Sequence, residues 1–491
     1  MSHPRFVATL LATAFLAPAV ASSAPRPSDP IFGISSGFGR AVAIAGDYAF
    51  VGEPSEAIPR AGGEGPAPVV VPGVVHVYRR GATGWKEVDK LVNPGSAGRD
   101  GFGISLATDG VTLLVGQLLP PAAAGGRGGR GAVAAPPPPD SARGAVFVYR
   151  RNAAGKWIAG GTLAAPDARP GSQYGMTLAV AGDLALVGAP ADSGGGVVTA
   201  FRRSKSGDWS ASGHLPAQGV IAGDHFGAAI AINGDRVAVG APNHDTKGAV
   251  YVFKTADNSW TQETSLENRL VPDNAALGSA VALKGDRVFA GAPGASFQAP
   301  PAAAPAAGPG TVPQGAQTAA QAAAGRGRGA VAPVTGMTVI FEQNPAKQWR
   351  TIATLTPFDY SASRFGATVA AVGDELWIGA PLSDGMGRIF RARADKDGSW
   401  TSMTKLNVDS IDAGAQFAAT FAVGTAAAVI GMPGDGGGAG TVAFLGKTAT
   451  GNWVLKHTTF PPVADPFTAV GGKEVKCGPD GKAAGFGCSN T

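Results

Sequence analysis

Charge is scarce in this sequence. Asp, Glu, Lys and Arg together make 15% of the 491 residues, and the formal net charge is +5. So small a basic excess argues against nucleic acid as the main partner, because a broad positive field is what draws a polyanion. Cysteine is scarcer still: Cys477 and Cys488 are the only two, and both fall in the last 15 residues. Their spacing excludes a CxxC metal site, and no other ligand types cluster nearby. There is no HExxH motif, no 3.6-residue apolar period after the leader, and no later apolar run long enough to cross a bilayer. What is abundant is Gly (74) and Pro (38), the residues of turns.

The glycines are not scattered. Seven aromatic-Gly pairs or close relatives recur: Phe38-Gly39, Phe102-Gly103, Tyr174-Gly175, Phe226-Gly227, Leu277-Gly278, Phe365-Gly366 and Phe417-Ala418. Fourteen residues after the first member of each stands another glycine: Gly52, Gly116, Gly188, Gly240, Gly291, Gly379 and Gly431. Each unit then supplies one tryptophan (Trp85, Trp157, Trp209, Trp260, Trp349, Trp400, Trp453), 16 or 17 residues before the next pair. In six units a leucine follows six residues after the tryptophan, which predicts that the two share a strand face. Intervals kept over seven copies mark a structural repeat.

The unit starting at Phe226 reads as four strands. An apolar run at 229–232 meets the hairpin signal Asn233-Gly234, a second strand follows to Gly240, and Pro242 ends it. A third strand spans 249–254 and a fourth 260–266. A lone four-stranded sheet cannot cover both faces, whereas seven stacked around an axis cover each other. The expected fold is all-β: a seven-bladed β-propeller of four-stranded antiparallel blades, with small residues such as Ala41, Ala43, Ala229 and Ala231 on the crowded innermost strands.

These units resemble FG-GAP repeats, which build the N-terminal propeller of integrin α chains and many bacterial surface proteins. The resemblance covers residues 32–460 and implies an adhesion or ligand-binding platform; no cofactor is expected. Many family members carry an Asp-rich calcium loop between the first two strands of a blade. This chain has only Gly46-Asp47, Gly182-Asp183, Gly234-Asp235, Gly285-Asp286 and Gly373-Asp374 there, too few oxygens for the six to eight that calcium takes. No metal site is therefore expected. The tail from Cys477 to Cys488 resembles the junction before a second propeller in choice-of-anchor B surface proteins, which implies that residues 461–491 are a linker or the start of a further domain.

The leader has a basic start, an apolar core at 6–17 and the small-residue site Ala19-Val20-Ala21. It reads as a signal peptide over 1–21, cut after Ala21, giving a secreted, periplasmic or cell-surface protein. In that compartment Cys477 and Cys488 are expected to form a local disulfide. Three Ala/Pro/Gly-rich insertions (55–73, 117–143, 294–335), with Arg-Gly steps at Arg127, Arg130, Arg326 and Arg328, fall between second and third strands. They crowd one face of the disc and are expected to pack little.

Chemistry is thin. Residues 33–37 match GxSxG, but no helix follows to form a nucleophile elbow, so chance is the better account. His76 replaces a strand residue and reads as structural. His225 and His244 lie in loops of one blade on the insertion-bearing face, beside Asp224 and Asp245, where a ligand, a metal or an acid–base pair would be sought; a solvated polar loop is the favoured reading. Asp100, Asp167, Asp224, Asp273, Asp359 and Asp412 recur in the inter-blade loops, either as turn formers or as acceptors for a basic ligand or sugar. No catalytic residue is assigned. The leading reading is a non-catalytic exported propeller for an unknown protein or glycan ligand. The alternatives are a hydrolase or lyase with its site at the axial mouth, which converging ionisable side chains would mark, and a structural spacer.

Overall fold

The computed structural model describes residues 37–54, 72–93, 101–118, 144–165, 167–256, 259–296, 334–358, 363–406, 408, 411, 413–435, 440–460, 482–483 and 486–487. They form seven four-stranded antiparallel meanders, spanning 42–92, 102–163, 177–214, 229–266, 280–355, 368–405 and 420–459; these are blades 1 to 7. A two-stranded pair, Lys482–Ala483 with Phe486–Gly487, lies outside the blades. The fold is the expected seven-bladed propeller. Each first strand contacts the first strands of both neighbouring blades, so these strands surround the axis.

The repeated glycines lock one blade to the next. Within a blade, the N–H of the pair's second residue donates to the carbonyl of the glycine 13 residues on, as in Gly227 to Gly240 at 3.0 Å and Gly39 to Gly52 at 3.0 Å. Between blades, that same glycine lies against the pair of the following blade. A Cβ on Gly52 would stand 2.0 Å from the oxygen of Gly103; on Gly240, 1.8 Å from that of Gly278; on Gly431, 1.9 Å from that of Gly39. The last contact joins blade 7 to blade 1, and Thr420 adds a hydrogen bond from Oγ1 to the Gly39 carbonyl (2.9 Å). The ring closes with the motif that builds every other joint.

A second set of seven glycines stands just before each third strand. They are Gly73, Gly144, Gly196, Gly248, Gly336, Gly387 and Gly440. A Cβ there would stand 2.1 to 2.2 Å from the carbonyl oxygen of the next blade's aromatic or leucine.

The core is divided into seven wedges, one between each pair of blades. Each tryptophan packs back onto the preceding blade: Trp157 meets Phe50 edge-on at 4.9 Å, Trp453 meets Trp377 at 4.9 Å, and Trp85 stacks on Phe444 at 5.0 Å. Six of them lie at the first or second position of the fourth strand, while Trp400 precedes its strand Ser402–Lys405. The expectation that tryptophan and leucine share a face is corrected. In six blades the third and fourth strands slip register by one residue, as between Val252 and Phe253, and this bulge flips the faces beyond it. Trp260 therefore packs toward blade 3 and Leu266 toward blade 5.

The ends of the largest insertion also differ from expectation. Ala295 is fully buried, Ser296 bridges to Val334, Gly336 donates to Ala295, and Thr335 accepts from Phe365 and Ser363. Residues 294–295 thus belong to the joint between blades 4 and 5, and Thr335 to the joint between blades 5 and 6. The signal peptide with Ala21, the GxSxG serines, residues 55–71, 119–143 and 297–333, Asp100, Asp359, Asp412, Cys477 and Cys488 lie outside the described residues.

Candidate functional site

In a meander, the inter-blade loop and the loop between second and third strands emerge on one face. On that face the approach to the axis is built by a tight turn that the pattern alone did not disclose. The residue preceding each aromatic or leucine of the pair takes a left-handed backbone: Gly37, Gly101, Gln173, His225, Ala276, Arg364 and Gln416. Its carbonyl accepts from the N–H three residues on, as in His225 from Ala228 at 3.1 Å. Non-glycine residues rarely hold such a φ. Seven copies make it part of the scaffold, and it leaves Gln173, His225, Arg364 and Gln416 exposed near the mouth. The signal was a position rather than a residue type.

Blade 4 departs from its siblings here. Asp224 is 3% exposed and accepts from the Ile221 N–H at 2.9 Å. Its Oδ2 also faces His244 Nδ1 at 2.7 Å. A carboxylate only accepts, so Nδ1 carries the proton, and in the neutral ring Nε2 holds the lone pair. Asp245 Oδ2 stands 3.9 Å from that Nε2, and Tyr251 packs edge-on against the imidazole at 5.8 Å. Burial, with the Asp224 charge next in weight, pushes the Tyr251 hydroxyl up to about 12. His225 faces Asn243 (Nδ1 to Nδ2, 3.2 Å). Asp273, from the next inter-blade loop, accepts from Thr246 Oγ1 at 3.3 Å. The loops of blade 4 thus bring Asp224, His225, His244 and Asp245 together, and Thr246 links this corner to Asp273 in the loop that enters blade 5.

Blade 6 shows what the backbone does without this chemistry. Its loop makes the same short turn, Ser383–Gly385, with Asp384 left-handed at φ 54° as Asp245 is at φ 44°. Ser363 and Ser383 stand where blade 4 has Asp224 and His244. The carboxylate–imidazole pair is therefore an addition to a loop that folds without it.

Asp167 lies apart from that corner. It accepts from His214 Nε2 at 2.7 Å, which holds its carboxyl below the usual carboxylate range, and Thr199 Oγ1 faces His214 Nδ1 at 3.2 Å. His76 is buried between Glu53 (2.8 Å) and Glu87 (3.0 Å), tying three strands of blade 1 together as a structural histidine would. Along the axial wall, among the described residues, the first strands contribute one ionisable side chain, Lys284 at a strand end.

The turns between first and second strands do not fit calcium. In five blades they are two-residue loops, and their carboxylates meet cations: Asp47 with Arg80 (2.8 Å), Asp183 with Arg202 (3.4 Å), Asp235 with Lys254 (3.4 Å), Asp286 with Arg236 (2.7 Å) and Asp374 with Arg393 (3.9 Å). Among the described residues no group of three His, Cys, Asp or Glu side chains converges as metal ligands would.

The family model for the FG-GAP repeat matches residues 209–253. The chain carries an FG-GAP repeat. The matched segment begins in the fourth strand of blade 3 and ends in the third strand of blade 4, so this FG-GAP unit spans a blade joint and contains Asp224, His225, His244 and Asp245. No curated protein matches the chain. Among solved structures, the chain is similar to the periplasmic gluconolactonase PpgL of Pseudomonas aeruginosa, with 14% identity, 74% of this chain and 84% of that one covered, and a TM-score of 0.42.

Proposed function

We propose that this protein is an exported, non-catalytic propeller that binds a protein or glycan ligand on its insertion-bearing face, in adhesion or protein–protein contact. Asp224, His225, His244, Asp245 and Asp273 form the contact corner; Asp167, apart from it, and Asp100, Asp359 and Asp412, outside the described residues, are the further acidic acceptors of this reading. The observation that carries this reading is the Asp224–His244 pair, set into a loop geometry that blade 6 builds with two serines. Loops placed by a rigid scaffold are where binding groups accumulate. Export follows from the leader at 1–21, and residues 461–491 serve as a linker or the start of a further domain. The test is a glycan array with a parallel surface-protein pull-down, using the mature chain and His244→Ala. Capture that His244→Ala leaves unchanged would reject the corner.

A propeller hydrolase or lyase is favoured by one specific observation: His244, oriented through Nδ1 by a buried carboxylate, presents Nε2 as a general base would. Ester and lactone turnover decides the matter. If turnover exists and falls about 100-fold in His244→Gln, the enzyme reading replaces the binding one.

A further inference from the structure

The opposite face carries the turns between first and second strands and between third and fourth strands, and it has its own departure from symmetry. In blades 1, 2 and 3 an aromatic residue near the end of the third strand is followed by two arginines: Tyr78-Arg79-Arg80, Tyr149-Arg150-Arg151 and Phe201-Arg202-Arg203. The equivalent positions elsewhere are Lys254-Thr255, Glu342-Gln343, Arg393-Ala394 and Gly446-Lys447. Arg80 and Arg202 are spent on the turn carboxylates Asp47 and Asp183. The other four have no carboxylate within ion-pair distance among the described residues.

Two of these four converge. Arg79 and Arg151, both exposed, border a cleft of about 450 Å³ between blades 1 and 2, lined also by Tyr48, Val111 and the turn at 152–155. Their guanidinium carbons stand 5.7 and 5.2 Å from the centre of the Tyr48 ring. The Tyr48 hydroxyl donates to the Gly155 carbonyl at 3.2 Å, which fixes that ring against the turn of blade 2. The nearby acids are occupied, Asp47 by Arg80 and Asp109 by the N–H groups of Val111, Thr112 and Gly182. Two cations packed on one aromatic ring and lining one cleft, without a neutralising carboxylate, leave a positive site that an anion completes, and guanidinium pairs carboxylate and sulfate in plane.

We infer that this face binds an acidic polysaccharide, with a carboxylate or sulfate group between Arg79 and Arg151 and later units running along blades 2 and 3 toward Arg203. The contacts themselves choose among polyanions. Single-stranded nucleic acid is held by bases stacking on open aromatic faces. Here those faces are covered by guanidiniums, Tyr48 by Arg79 and Arg151, and Trp209 by Arg203 at 5.7 Å. An anionic bilayer needs apolar side chains beside the charges, and Val111 is the one aliphatic residue larger than alanine in the cleft's lining.

The test immobilises the full chain and measures capture of polygalacturonate, dextran sulfate, neutral dextran, phosphatidylglycerol vesicles and single-stranded DNA. Polygalacturonate or dextran sulfate should bind, more weakly as salt rises, and neutral dextran should not. Arg79→Ser/Arg151→Ser should lower that capture at least tenfold. The matched loss of two charges on the other face, Arg169→Ser/Arg269→Ser, should leave it unchanged. Absence of polysaccharide capture, equal loss in the two double variants, or capture confined to vesicles or DNA overturns the assignment. If Arg79→Ser/Arg151→Ser fails to fold, Arg151→Gln carries the same readout, and unchanged capture there also overturns it.

Discussion

At Gly240 an added methyl would stand 1.8 Å from the carbonyl of Gly278, whereas at Gly285 it would meet nothing within 4 Å. Both glycines repeat through the chain, yet they repeat for different reasons. Gly240 is small because two blades touch there; Gly285 is flexible because its turn needs φ +56°. Gly240→Ala should therefore cost about 3 kcal/mol or more through forced backbone displacement. Gly285→Ala should cost only about 1–2 kcal/mol from the left-handed backbone. Urea unfolding of the two variants checks the order; equal midpoints would deny the interlock. Glu375 supplies a pH test at the same scale. Burial would raise its carboxyl, but Arg391, Arg393 and the Trp377 indole N–H outweigh that and hold it at about 2, against 4.5 in an unperturbed chain. Because the folded value is depressed, its stabilisation is full above 4.5 and drains as pH falls toward 2. Glu375→Gln should flatten the acid limb of a stability profile in that window. An unchanged limb would mean that the two arginines contribute nothing there.

At the scale of strands and loops, much was legible. The hairpin turns, the strand order and the position of the tryptophans follow from Gly-Asp steps, alternation and a fixed interval, all of which are local. The missing parts depend on the neighbouring blade. The bulge that sends Trp260 and Leu266 to opposite sides leaves no mark in residue type, because an interval of six looks the same with or without it. Gly248 is required to be small only because Leu277 of the next blade lies against it. For the same reason the insertion at 294–335 read as a single appendage, although 294–295 pack into the blade 4–5 joint and Thr335 is bonded into the blade 5–6 joint. Deleting 298–332 should leave the melting temperature within about 3 °C, since loop-closure entropy changes slowly with length. Deleting 294–335 should destabilise the fold clearly, because Ala295 and Thr335 are fully buried. Differential scanning calorimetry of both deletions separates the outcomes. The candidate site was half legible: His244 beside Asp224 was foreseeable from their shared loops, but Asp167 pairing with His214 across a joint was not.

The whole molecule is a ring whose joints are identical in kind and whose two faces differ in chemistry. Among the described residues no turn supplies a calcium shell, so melting curves with and without chelator should superimpose; a drop of several degrees would reveal an ion holding the blades. The central claim is that the joints are shared by all blades while function resides where one blade departs from the rest. Rebuilding that departure in the image of a sibling tests it most directly. Asp224→Ser/His244→Ser gives blade 4 the residues that blade 6 uses on the same backbone turn. The account predicts that the variant melts within about 3 °C of the parent, while capture of its partner in a glycan array or pull-down falls at least tenfold. A variant that unfolds, or one that keeps full capture, would contradict it.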